Sequence, residues 1–273
     1  MVEVDAKRCT RCGLCLRLMK GYCISEREGM PVFDATLCNL CQKCVAICPG
    51  RAIMVNGVYP DPIRGALALD PADLISLYER RRSTKHFQDR QLPRQLIEQI
   101  VAVAKYAPNQ NKNITLVVID DAGLLADIEA SAMCFVRKYY RLLFSCGALG
   151  AFFGLFARNL PTIKRKMEHD LLFRQRVLKD HTQALIIATG SRRTPVTEQS
   201  APYLLATMMY MAETLGVGTC LLDSLTRTLR SDRALRKRLG IRDDALAVMA
   251  LGYSAEHIVN IPRGYEVDVH WNS

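Results

Sequence analysis

The sequence predicts an α+β protein in two parts, a small cysteine-rich module and a larger domain in which helices and strands alternate. Three observations carry this. Eight of the eleven cysteines fall between Cys9 and Cys48. A cluster of chain breakers follows, Pro60, Pro62 and Gly65. Beyond it, helical periodicity takes turns with short apolar runs. The domains are accordingly expected at residues 1–59 and 71–273, joined by a linker at 60–70. A chain of 273 residues is long enough for both.

The cysteines are spaced as two runs. Cys9, Cys12 and Cys15 read C-x2-C-x2-C; Cys38, Cys41, Cys44 and Cys48 read C-x2-C-x2-C-x3-C, closed by Pro49. This resembles the bacterial ferredoxin run for [4Fe–4S] clusters. A short loop can set three thiolates on three irons of a cubane, and the fourth iron needs a ligand from elsewhere. In two-cluster ferredoxins each run's last cysteine serves the other cluster. The resemblance thus assigns Cys9, Cys12, Cys15 and Cys48 to one cluster, and Cys38, Cys41, Cys44 and Cys23 to the second. The sequence departs at position 19, where Met19 stands and Cys23 is the nearby substitute. Two structural zinc sites of four thiolates each are the competing reading, although zinc ribbons usually use C-x2-C pairs rather than triplets.

In order along the chain, Val2–Val4 and Ile53–Val55 read as terminal strands of the module, with Asn56-Gly57 as a turn. Asp70-Pro71 is a helix start, an N-cap acid followed by proline at N1, for a helix to about Arg82. A second helix starts at Pro93, its inner face marked by Leu96, Ile97, Ile100, Val101 and Ala104. Thr115–Ile119 and Ala184–Thr189 read as buried strands, with mostly helical residues at 121–181 between them. A helix over 200–215 buries Leu204, Met208, Met211, Ala212 and Leu215. Then come a strand at 216–222, a basic helix over 231–239 and a last strand at 246–251.

Charge and composition exclude some functions. The formal net charge is +10, much of it in Arg227, Arg230, Arg233, Arg236, Lys237, Arg238 and Arg242. A nucleic-acid surface would want aromatic interleaving or a known module, and neither occurs. A solvated basic face is expected, with steering of an acidic partner as the alternative. Leu142–Ala157 holds no charge, but it is sixteen residues with three glycines, whereas a membrane span wants about twenty apolar residues. Met1–Lys7 is polar, without a secretory leader's apolar run. Together with thiolates that need reducing conditions, this points to the cytoplasm. Cys134, Cys146 and Cys220 are expected in the core, and His86 at the surface.

Five motifs of the larger domain occur in one order: Arg81-Arg-Ser-Thr-Lys-His-Phe87, Ala107-Pro-Asn-Gln-Asn111, Leu215-Gly-Val-Gly-Thr-Cys220, Leu251-Gly-Tyr-Ser-Ala-Glu-His257 and Pro262-Arg263. In this order they resemble the nitroreductase family over about residues 73–265. The resemblance implies a domain with a mixed sheet flanked by helices, a homodimer, and bound FMN. It implies Arg81 and Arg263, with Arg82, as donors to the phosphate, whose dianion needs planar donors. Ser83 would bond the ribityl chain or the pyrimidine edge, and Lys85 would stand near N1 and O2. Backbone at Leu222 and Asp223 would face N5. Pro108, Asn109, Gln110 and Asn111 would reach FMN bound largely by the partner subunit. Asn109–Asn113 lacks the family's small residues and its downstream Gln-Pro-Trp.

The function expected from the two resemblances is an FMN-dependent oxidoreductase. Electrons would pass from a low-potential donor, reduced ferredoxin or NAD(P)H, through two [4Fe–4S] clusters to FMN. The acceptor would be an electron-poor small molecule such as a nitroaromatic, a quinone or an activated alkene. No separate catalytic side chain is expected, because the flavin is the reactive group. A non-catalytic electron-transfer subunit and another FMN reaction, such as reductive dehalogenation, are the alternatives.

Overall fold

The computed structural model describes residues 1–19, 22–66, 68–108, 113–144, 160–193, 195–261 and 267–271. The chain divides into two compact units, Met1–Leu69 and, for the second, Asp70–Pro108 with Asn113–Ser273.

The first unit is two small β-hairpin-like pairs and two short helices. β1 (Val2–Val4) and β4 (Ile53–Val55) pair antiparallel, with Val2 opposite Val55. β2 (Ile24–Arg27) pairs with β3 (Met30–Phe33) through a turn in which Glu28 and Gly29 are both left-handed. α1 (Leu14–Met19) and α2 (Lys43–Ile47) each begin within a cysteine run. The turn at Asn56-Gly57 also takes two positive φ values, 51° and 75°, as a two-residue hairpin link requires.

The second unit is a sheet between two helical layers. α3 (Pro71–Arg80) starts where its cap dictates: the Asp70 carboxylate accepts the Ala72 N–H at 2.8 Å. α4 (Arg94–Ala102) follows Pro93 and buries Ile97 and Ile100. Then come β5 (Thr115–Ile119), α5 (Ala122–Phe144), α6 (Leu160–Glu168) with a single π-helical turn after it, β6 (Ala184–Gly190) and α7 (Pro195–Thr214). The chain closes with β7 (Gly218–Leu221), α8 (Asp223–Ser231), α9 (Arg233–Arg238) and β8 (Asp244–Gly252).

The strand order is β5-β6-β8-β7. β6 and β8 are central, and every residue of β6 is buried. Their alternation splits two cores. Leu185 and Ile187 of β6, with Val248 and Ala250 of β8, face α5 and α8; Ala184 and Ile186, with Met249 and Leu251, face α4 and α7. A fully buried Ile or Leu contributes about 1.5–3 kcal/mol, so β6 alone anchors much of the unit.

Several expectations change. The sheet is not mixed in its named strands, since all three pairings are antiparallel; parallel character enters only through isolated bridges, Ser83 to Thr219 and His86 to Asp180. α7 begins five residues earlier than expected and carries Pro202 in its interior. The basic helix expected over 231–239 is α9, which the Asp232 carboxylate caps by accepting the Leu235 N–H at 2.9 Å, while α8 before it was not expected. The cations of α8 and α9 are not simply solvated. Arg230 donates to the Ala245 carbonyl at 2.6 Å, Arg236 pairs with Asp244 at 3.1 Å, and Arg238 pairs with Asp127 at 2.7 Å. Cys220 is buried as expected, but Cys134 is exposed. It lies off the α5 face that buries Ile128, Ala132 and Val136. Cys146 and most of Leu142–Ala157 lie outside the described residues. Among the described residues no helix is long and apolar enough to cross a membrane.

Candidate functional site

Two sites are built, one in each unit. In the first unit the cysteine runs form a matched pair of loops. Two residues after the first cysteine of each run, Arg11 and Leu40 have φ of 56°. One residue after the second cysteine, Gly13 and Gln42 have φ of 71° and 60°. Left-handed backbone costs a side-chain-bearing residue about 1–2 kcal/mol, and three of these four residues carry a side chain. Left-handed residues recur two positions apart in each run, Arg11 with Gly13 and Leu40 with Gln42, a backbone pattern of the kind found in nests around phosphates and iron–sulfur groups.

The thiols fall into two sets. Cys9, Cys12, Cys15 and Cys48 line one cavity together, with Arg11, Gly13 and Leu14. Burial raises the Cys15 thiol's pKa, and the neighbouring Cys48 and Cys9 raise it further. Cys12 is shifted the other way, by the Leu14 N–H, the Thr10 hydroxyl and, less, Arg17. In the other set, burial pushes Cys44 up to about 11, with Cys41, Cys38 and Cys23 adding to the rise. Burial also raises Cys23, and Cys38 and Cys41 press in the same direction. Cys48 thus sits with the first triplet and Cys23 with the second. The Ala52 N–H donates to Cys48 Sγ at 3.3 Å.

An all-sulfur donor set suits soft, thiophilic centres, iron–sulfur groups and zinc alike. Among the described residues, no three His, Cys, Asp or Glu side chains close on a point as they would around a single ion.

In the second unit the site is organised by an extended segment, Arg81–Gln88, laid on the outer edge of β7. Ser83 bridges Thr219 in parallel, and the Thr84 N–H donates to the Thr219 carbonyl at 2.9 Å. Two glycines allow the close approach. A Cβ on Gly218 would stand 2.5 Å from Thr84 Oγ1, and one on Gly252 would stand 2.8 Å from the Phe87 ring. Phe87 is 2% exposed and pins the segment to the core.

Alternation along the segment sends its side chains two ways. Arg81 reaches Met209 Sδ at 3.7 Å, and Lys85 Nζ lies 3.9 Å from Cys220 Sγ. Arg82 and Thr84 instead line a cleft of about 290 Å³ with Arg80, Glu213, Gly218, Glu256 and His257. Burial raises the Glu213 carboxyl's pKa, against the pull of Arg81, Arg80 and Arg82. Ser83 and Lys85 are exposed, whereas Arg81 and Arg82 are half-buried. His86 is exposed as expected, with Nδ1 3.2 Å from Asp180 Oδ2.

Leu222 and Asp223 stand where β7 gives way to α8. Leu222 is buried and donates its N–H to the Val248 carbonyl at 2.9 Å; Asp223 is exposed at the first turn of α8. Pro108 is exposed. Asn109, Gln110, Asn111 and Arg263 lie outside the described residues.

Sequence reasoning missed Glu256 as a site residue. Its Oε1 accepts the N–H of Lys85 at 2.7 Å and of His86 at 2.9 Å. The partners are 171 and 170 positions apart, so no local pattern announces the contact.

The Nitroreductase family profile matches residues 78–253. Among solved structures, a nitroreductase with bound FMN from Bacteroides fragilis superposes with a TM-score of 0.54 at 15% identity, over 71% of this chain and 95% of that one. An iodotyrosine deiodinase bound to FMN and 3-iodo-L-tyrosine gives a TM-score of 0.54 at 16% identity, over 73% and 99% of the two chains. A nitroreductase with bound FMN from Desulfitobacterium hafniense gives 0.53 at 14%, over 71% and 97%. No curated protein matches.

Proposed function

The chain belongs to the nitroreductase family and is an FMN-dependent oxidoreductase, and from that premise we propose that it works as a relay. The cysteines of the first unit would hold two [4Fe–4S] clusters that accept single electrons from a low-potential donor, and the second unit would hold FMN, with an electron-poor organic acceptor, a nitroaromatic, quinone or activated alkene, as substrate. The observation that carries the relay is the pairing of the cysteines. Two loops of matching handedness each present three thiols, with Cys48 beside the first triplet and Cys23 beside the second, in two sets of four. The two triplets favour iron–sulfur over zinc, since zinc ribbons usually use C-x2-C pairs.

FMN, when bound, supplies the chemistry, since it takes electrons singly and delivers them as a pair. The chain's residues hold and tune it. Arg81, Arg82 and Arg263 are the phosphate donors, and Ser83 bonds the ribityl chain or the pyrimidine edge. Lys85 would place a positive charge beside N1 and O2, which would favour the reduced state. Backbone at Leu222 and Asp223 would face N5. Pro108, Asn109, Gln110 and Asn111 belong to a loop that completes the partner subunit's site in a homodimer.

Stopped-flow reduction of the FMN-loaded full chain tests the relay, with reduced ferredoxin and NAD(P)H compared as donors. Ferredoxin-driven flavin reduction is expected to be fast in the native chain and to collapse in Cys48→Ala. Undiminished reduction by the better donor in that variant would leave an ordinary flavoenzyme with no role for the first unit in electron entry.

A further inference from the structure

Resting on the flavin reading above, we infer that Glu256 is a positioning residue, which holds the backbone under Lys85 so that its ammonium acts on the flavin. The segment after the arginines runs antiparallel to residues 253–256. Gln88 N–H donates to the Tyr253 carbonyl at 2.8 Å, Phe87 bridges Ser254, and Ala255 N–H donates to the His86 carbonyl at 3.0 Å. At the next step the backbone ladder ends, and a side chain takes over. Glu256 Oε1 accepts two successive N–H groups, from Lys85 and His86. Charge-assisted bonds of this kind are about twice as strong as neutral ones.

The backbone of Glu256 is itself braced. The Glu256 N–H donates to Ser254 Oγ at 3.0 Å, and that hydroxyl donates to the Glu256 carbonyl at 3.1 Å. Lys85 is therefore fixed on both sides, through Thr84 on Thr219 and through its own N–H on Glu256. A lysine is a point charge on a flexible four-carbon stem. Its field at one edge of a flavin depends on where its Cα is held.

The sign of the effect separates positioning from simple charge. Removing an anion near a flavin raises its midpoint potential, because reduction adds negative charge. Losing a well-placed cation lowers it. Flavin midpoint potentials of the FMN-loaded full chain are to be measured by spectroelectrochemistry for Lys85→Ala, Glu256→Ala, Glu256→Gln, Ser254→Ala and the Lys85→Ala/Glu256→Ala pair. Lys85→Ala is expected to lower the potential. Glu256→Ala is expected to lower it too, although it removes a negative charge, and the double variant is expected to fall no further than Lys85→Ala alone. Glu256→Gln keeps an acceptor oxygen and is expected not to fall. Ser254→Ala, which loosens only the brace, gives a smaller fall and serves if Glu256→Ala does not fold. A rise or no change in both Glu256→Ala and Ser254→Ala, or full additivity in the double variant, overturns the inference. No change in Lys85→Ala would instead show that the flavin reading of Lys85 is wrong, and the inference would go with it.

Discussion

The core of the first unit is five buried residues, Cys23, Ile24, Cys44, Val45 and Ile53, and two of these are cysteines of the proposed ligand sets. The second unit has two cores on opposite faces of one sheet, with wholly buried residues such as Ile128, Leu185, Ile187, Leu225 and Leu229 in one, and Ile100, Ile186, Leu205 and Met208 in the other. A unit this small with so thin a core falls in the size range where metals or cross-links commonly supply stability. The second unit needs no such help. On the proposed reading the first unit would tie its fold to its ligands, whereas the second has two cores of its own.

The largest effect should come from removing the metal. Anaerobic treatment with an iron chelator is expected to abolish the first unit's structure and leave the second folded, read as amide protection lost in residues 1–59 and retained in β6 and β8. Equal protection in both units after chelation would break the comparison.

Next in size is a core deletion in the second unit. Phe87→Ala should destabilise it by about 3–5 kcal/mol, the usual cost of emptying a buried aromatic site, seen as a lower denaturant midpoint. Because Phe87 also pins the Arg81–Gln88 segment over Gly252, FMN affinity should fall in the same variant. A stability loss with unchanged flavin affinity would separate the core from the site.

Arg81→Ala should leave stability nearly intact and weaken FMN about ten- to hundredfold, by removing a charge-assisted phosphate contact of about 1.5–3 kcal/mol. Flavin fluorescence titration reads this directly. The smallest effect concerns Asp232, which caps α9. Asp232→Ala should cost about 1 kcal/mol. The Leu235 N–H and the Ser131 hydroxyl hold this carboxyl's pKa below its ordinary value. Its contribution is therefore present above the unfolded pKa and lost as pH falls through the folded one. The native chain should lose stability in that acid window more steeply than the variant does.

The same comparison explains what was legible in the sequence. Caps and helical periodicity are local, so the Asp70 cap and the periodic face of α4 could be read directly. The strand pair Val2–Val4 with Ile53–Val55 was legible from its turn and apolar pattern. What depends on distant partners was not. α8 escaped notice because its buried face mixes Leu225 and Leu229 with Thr226 and Thr228. Arg230 and Arg236 looked like a solvated face, since nothing local says that their guanidinium groups turn to β8. Cys134 is exposed although its helix is apolar overall, because it lies off the face that buries Ile128, Ala132 and Val136. Glu256 is the sharpest case, a single residue whose role exists only once two ends of the domain meet.

The proposed iron–sulfur relay joined to a flavin domain is open to metal and flavin analysis of the anaerobically purified chain, with its visible spectrum. The claim predicts about eight irons, as two four-iron clusters require, together with one FMN per chain and broad visible absorption that bleaches on reduction. Stoichiometric zinc in a chain without that absorption would contradict it.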